Sequence, residues 1–105
     1  MLTSAKKIGN RVLLKVHENI ADMKTGEEFK AVLMELYNKG EKEIVLDFGS
    51  INLITSHGIG KILMFYKRFK EVGGHIYVAP MKGSMREIFE TLMLDNIIPE
   101  INISD

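Results

Sequence analysis

Residues 43–48 read E-I-V-L-D-F, a run too short for a helix of its own and apolar at almost every position. Strict alternation would mark a strand with one wet face, whereas near-continuity suits a central strand covered on both faces. Asp47 is its polar exception. A polar bend follows, and then Ser56-His57-Gly58-Ile59-Gly60-Lys61 opens a stretch of helical periodicity. Strand, bend and glycine-started helix form the unit around which the chain is organised, and in open sheets sites gather where loops leave the carboxyl ends of such strands.

The rest of the chain supplies partners for that strand. Residues 6–16, K-K-I-G-N-R-V-L-L-K-V, are two apolar runs parted by Gly9-Asn10, a pair that tolerates the positive φ of a tight turn, and predict a β-hairpin. Thr25-Gly26-Glu27-Glu28 has the spacing of a capping box, and Phe29, Val32, Leu33, Leu36 and Tyr37 follow the 3.6 period up to Asn38-Lys39-Gly40. After the bend, Ile59, Ile62, Leu63, Tyr66 and Phe69 define the core face of a second helix, stopped by Gly73-Gly74. His75-Ile76-Tyr77-Val78-Ala79 predicts a further strand closed by Pro80. Ser84 with Glu87 repeats the capping-box spacing before Met85, Ile88, Phe89 and Leu92, a third amphipathic helix ending near Asp95-Asn96. The tail I-I-P-E-I-N-I-S-D alternates weakly, as a short edge strand or a docked coil. The expected fold is α/β: a mixed β-sheet of four to five strands, with an N-terminal hairpin and parallel central strands, packed against amphipathic helices. One domain is expected over residues 1–105.

Composition removes several function classes. Fourteen basic residues against fourteen acidic ones give no net charge, so the positive field that a phosphate backbone requires is missing and nucleic acid is not an expected partner. The absence of cysteine excludes disulfides, thiolate metal sites and thiol nucleophiles. No run approaches the length of a membrane span, and the first residues lack the apolar core of a signal peptide, so a cytoplasmic protein is expected.

The remaining candidates for chemistry are sparse. His17, His57 and His75 have no partner at metal-ligand spacing, so no metal is expected. Gly58-Ile59-Gly60 resembles a dinucleotide turn, but Leu63 stands at its third glycine position, and no cofactor is expected. Ser56-His57-Gly58 resembles half of a nucleophile elbow, but Ile54 stands where that motif needs glycine. The chain therefore reads as no enzyme. Ser56 at a helix mouth has two compatible roles: an N-cap for an N–H near Ile59, and a serine whose phosphate the helix terminus would tolerate. On the outer face, Gly60, Lys61, Met64 and Arg68 point away from the core. Met64 is there either a side chain of a transient interface or one of the isolated exposed apolar residues common on any surface.

The stretch I-V-L-D-F-G-S-I-N-L-I-T-S-H-G-I-G-K-I-L resembles the signature of STAS domains, specifically of anti-sigma factor antagonists: an apolar strand, D-L/F-S, a spacer, then D-S-S/T-G-L-G. The likeness extends over nearly the whole chain, to the strand ending in Ala79-Pro80 and the last helix leading to L-D-N-I-I. It implies partner switching. Unphosphorylated protein would bind an anti-sigma factor that is also an ATP-binding serine kinase of histidine-kinase-like fold. Phosphorylation at Ser56 would end that binding, and a serine phosphatase would restore it. Carried over by position, Ser56 matches the phosphorylated serine, and Gly58 and Gly60 match the glycines. Thr55 stands in place of the usual aspartate, and His57 in place of a small Ser or Thr. The partner surface so implied comprises Asp47, Thr55, Ser56, His57, Gly58, Gly60, Lys61, Met64 and Arg68. Those two replacements also fit a second function, a STAS interaction module or scaffold in another signalling or lipid-transport assembly, without phosphotransfer.

Overall fold

The computed structural model describes residues 1–103. Strands β1 (Thr3–Ile8) and β2 (Arg11–Val16) form the expected antiparallel hairpin, with Gly9 at φ +59° in its turn. β1 begins three residues before Lys6, where its start was expected, because Thr3 still pairs with Val16. Strand β3 (Glu43–Asp47) pairs in parallel with β2, and β4 (His75–Val78) in parallel with β3, giving the order β1-β2-β3-β4. The register sets Val12, Ile44 and Ile76 in one row and Leu14, Leu46 and Val78 in the next, all buried. These rows form the sheet's half of the core.

Three helices cover them. Helix α1 (Met23–Asn38) starts three residues earlier than a cap at Thr25 predicts. Asp22 is its N-cap: the Asp22 carboxylate accepts from the Thr25 N–H at 2.8 Å, and Thr25 Oγ1 accepts from the Asp22 N–H at 3.2 Å. Thr25 is thus the far half of the box. The Thr25 N–H first, and then the Thr25 hydroxyl, which donates to the same carboxylate at 2.8 Å, hold the Asp22 carboxyl below its ordinary value. Helix α2 (Ser56–Glu71) buries Ile59, Ile62, Phe65 and Phe69. Phe65 was not expected there, whereas Leu63 and Tyr66 are only half-buried. The buried arc is displaced because Tyr37 of α1 sits edge-on to both Phe65 and Phe69, at 6.4 and 5.4 Å. Helix α3 (Gly83–Thr91) has Lys82 as N-cap with no side-chain cap, so the expected Ser84–Glu87 box does not form: Ser84 already lies inside the helix. Left-handed Met93, at φ 58°, separates α3 from a 3-10 turn at Leu94–Asn96, leaving Leu92 exposed. Phe29, Phe48 and Phe89 run as a chain of rings from α1 to α3, at 6.5 and 6.0 Å.

The tail is a docked coil. Val78 donates to Pro99 O and Ile101 donates to Val78 O, both at 2.9 Å, which makes one parallel bridge beyond β4. Ile103 then lies beside Ile8, Leu13 and Val45 on the sheet face opposite the helices. Ser104 and Asp105, the end of the predicted tail element, lie outside the described residues.

Candidate functional site

The bend after β3 is held from two sides. At its start, Asp47 turns its carboxylate back to accept from the Gly49 N–H at 2.8 Å, an aspartate turn that closes the strand. Phe48, Ile51 and Ile54 bury their side chains beneath the bend. At its far end the β2–α1 connection takes over. Asn19 Oδ1 accepts from the N–H groups of Asn52 and Leu53 at 3.0 and 3.2 Å, while its amide donates to Asn52 Oδ1 at 2.9 Å. Ile20 donates to Leu53 O, and Thr55 donates to Ile20 O at 2.9 Å. This clamp is absent from the sequence reading because it joins residues more than thirty positions apart.

The clamp delivers the chain to the mouth of α2. Thr55, extended at φ −80° and ψ 167°, is the N-cap, and its Oγ1 accepts from the Gly58 N–H at 3.5 Å. That is a correction: Ser56 was expected to cap and is instead the first helical residue. The consequence is that its hydroxyl has no capping duty, and Ser56 is exposed. Thr55, where the aspartate was expected, performs the capping that an aspartate would also perform.

The two glycines differ. A Cβ on Gly58 would lie 2.8 Å from Ile20 Cγ2 and from Ile54 Cγ1, so this glycine allows α2 to pack against the clamp. A Cβ on Gly60 would meet nothing within 4 Å. Gly60 is exposed one turn beyond Ser56, and no packing within the chain requires it.

His57 turns to the side, toward α1, where its ring rests against Gly26. Its Nε2 is shielded from solvent 3.3 Å from Glu27 Oε2, without the alignment of a hydrogen bond. Lys61, one turn on, places Nζ 3.1 Å from the same carboxylate oxygen. The hydrogen bond from Lys61, its charge and that of Lys30 hold the Glu27 carboxyl below its ordinary value. Of the outer-face residues, Arg68 is exposed with its guanidinium 5.5 Å from the Phe65 ring centroid. Met64, expected outside the core face, is half-buried and packs on the core. Lys61 is also mostly covered by its pairing. The open strip is therefore Ser56 and Gly60, flanked by His57 and Glu27. On its other side Leu53, 43 % exposed, borders an open groove of about 520 Å³ against Glu87, Ile88 and Leu92 of α3. Among the described residues no cluster of three His, Asp or Glu side chains could hold a metal ion, and no helix is long and apolar enough to cross a membrane.

Comparison with known proteins places this architecture. The STAS domain family model matches residues 3–105. BtrV of Bordetella bronchiseptica, provisionally named an anti-sigma factor antagonist, is 29 % identical over 91 residues, covering 87 % of this chain and 78 % of BtrV. A Thermotoga maritima structure with the same provisional name superposes with a TM-score of 0.86 at 22 % identity, over 96 % of this chain and 86 % of that one. The anti-sigma factor antagonist SpoIIAA of Bacillus, solved unphosphorylated and phosphorylated, gives TM-scores of 0.68 and 0.72, both at 17 % identity. Those superpositions cover 90 % of this chain and 96 % of SpoIIAA in the first form, 95 % and 91 % in the second. The fold likeness thus agrees with a family match that spans nearly the whole chain: the protein belongs to the STAS domain family.

Proposed function

We propose that this chain is an anti-sigma factor antagonist that works by partner switching in the cytoplasm. The mouth of α2 docks onto an anti-sigma factor that is also an ATP-dependent serine kinase, and phosphorylation of Ser56 ends the docking. Removal of the phosphate by a serine phosphatase restores it. The observation that carries this reading is the exposed hydroxyl of Ser56, free of capping duty, beside Gly60, whose missing side chain nothing in the chain itself requires. A phosphoryl group there brings about 1.5 to 2 negative charges to a helix N-terminus, which favours them, so the fold tolerates the modification. The cost falls on the docked partner, which loses a close approach and meets new charge. The anti-sigma factor antagonist name of the Bordetella relative supports an anti-sigma factor as the partner. Incubation with the cognate anti-sigma factor and ATP, followed by mass-spectrometric mapping, is expected to place one phosphate on Ser56. Phosphate elsewhere, or none, contradicts the proposal.

A second reading is favoured by Thr55 and His57, which leave no acidic residue in the first turn of α2 and set a bulky ring beside Ser56. In it the chain is a STAS interaction module without phosphotransfer. Equal partner affinity of wild type, Ser56→Ala and Ser56→Asp supports this second reading and removes the first.

A further inference from the structure

The seat of His57 is built into a neighbouring helix. A Cβ on Gly26 would lie 2.5 Å from Cδ2 of His57 and 3.2 Å from its Nε2, far inside contact distance. Position 26 is in α1, where glycine weakens a helix relative to alanine, and its φ is not among the left-handed values for which glycine is needed. Backbone geometry therefore gives no reason for this glycine, and the imidazole does. The ring also takes its Nε2 out of water, leaving it only the misaligned 3.3 Å approach to Glu27 Oε2. Alanine at position 26 with a small residue at position 57 would avoid both. An arrangement that opposes stability beside an exposed serine is where a functional constraint is expected.

We propose that His57 is a specificity-determining residue of the Ser56 docking face, with Gly26 as its positioning residue, so that the partner reads a seam of two helices. This rests on the docking reading given above. The ring cannot retreat, because its inner edge is seated against α1 and Glu27 and Lys61 close the seam beyond it. Its outer part stays in the open, the side chain being 38 % exposed beside Ser56. The fitting partner is an anti-sigma factor whose docking surface has a recess for an imidazole. One shaped for serine or threonine at this position collides with the ring, which is discrimination by exclusion.

The test measures affinity for the cognate anti-sigma factor, and melting temperature, for wild type, Ser56→Asp, His57→Ser, Gly26→Ala and Gly26→Ala/His57→Ser. Wild-type binding that Ser56→Asp abolishes establishes the docking reading on its own. A wild type that does not bind overturns that reading, and this inference with it. Given binding, His57→Ser is expected to lose about tenfold or more in affinity at an unchanged or higher melting temperature. Gly26→Ala alone lowers both. In the double variant the clash is gone and melting temperature returns to the wild-type value or above, while affinity stays at least about tenfold down. A purely structural role for the pair requires affinity to recover together with stability. That recovery, or wild-type affinity in His57→Ser, overturns the proposal.

Discussion

The two ends of the parallel strands are finished in opposite ways. At the amino-terminal end the polar groups close on one another. Glu43 Oε1 accepts from the Tyr77 hydroxyl at 2.9 Å, and its Oε2 lies 2.7 Å from Nδ1 of His75. The His75 ring stacks on Tyr77 at 5.8 Å, and the Arg11 guanidinium lies 5.3 Å from the Tyr77 ring centroid. Burial pushes the Glu43 carboxyl up, but hydrogen bonds from His75 and Tyr77 and the charge of Arg11 outweigh it and bring it below its ordinary value. Burial, and then the Glu43 carboxylate, push the Tyr77 hydroxyl up. At the carboxyl end the backbone is held as firmly, by Asn19 and Ile20, yet the side-chain surface is left open: Ser56 and Gly60 stand free and Leu53 faces the groove. One end completes itself. The other leaves an open strip, which is why the docking face is proposed there and not at the richer cluster of titratable groups.

Substitutions at each end should separate these two characters. The largest effect is expected at the self-contained end. A Cβ on Gly74 would lie 2.5 Å from the carbonyl oxygen of Lys42, which also accepts from the His75 N–H, so backbone itself must move. Gly74→Ala should cost about 3 kcal/mol or more in urea unfolding. At the open end, Asn19→Ala removes the acceptor for two amides of the bend and should cost about 2 kcal/mol. Amide hydrogen exchange should then speed at Asn52 and Leu53 and leave β3 protected; loss of protection across the sheet would make clamp and core one unit.

A smaller effect concerns acid. The folded Glu43 carboxyl is depressed, so its contribution is complete above the ordinary glutamate value and is lost as pH falls through the folded value. Glu43→Gln should therefore be less stable than wild type by under about 1 kcal/mol near neutrality, with the difference vanishing in acid. A difference independent of pH contradicts that assignment. The smallest effect on the fold belongs to Gly60→Ala, which should gain about 0.5 to 1 kcal/mol from helix propensity. The same variant should bind the anti-sigma factor less tightly, so that stability and docking move in opposite directions. Unchanged affinity would mean that the open strip does not lie under the partner.

What the sequence revealed follows the range of the interactions involved. The hairpin at Gly9-Asn10, the buried strand at residues 43–48 and the three helices are written in neighbouring residues, and each was legible there. Cap positions were read with an offset, because D-M-K-T and T-G-E-E both satisfy the spacing of a capping box, and Thr55 and Ser56 are both capping residues. Local sequence does not decide between such pairs; the tertiary entry of the chain does. Phe65 was missed, and Met64 placed too far outward, because helical periodicity knows nothing of Tyr37 on a neighbouring helix. The Asn19 clamp and the seat of His57 on Gly26 were invisible for the same reason. Of the site residues, Ser56, Gly60 and Arg68 lie in the open as expected, and Lys61 is taken up by Glu27. Asp47 and Thr55 serve the backbone of the bend and the helix mouth, and Gly58 serves packing.

The central claim is that the open end is a docking face switched at Ser56. Its most direct test is the affinity of the anti-sigma factor for the unmodified chain and for the same chain phosphorylated at Ser56, measured by calorimetry with folding checked by circular dichroism. The account predicts a loss of about a hundredfold or more, roughly 3 kcal/mol, on an unchanged fold. Equal affinity of the two forms would contradict it.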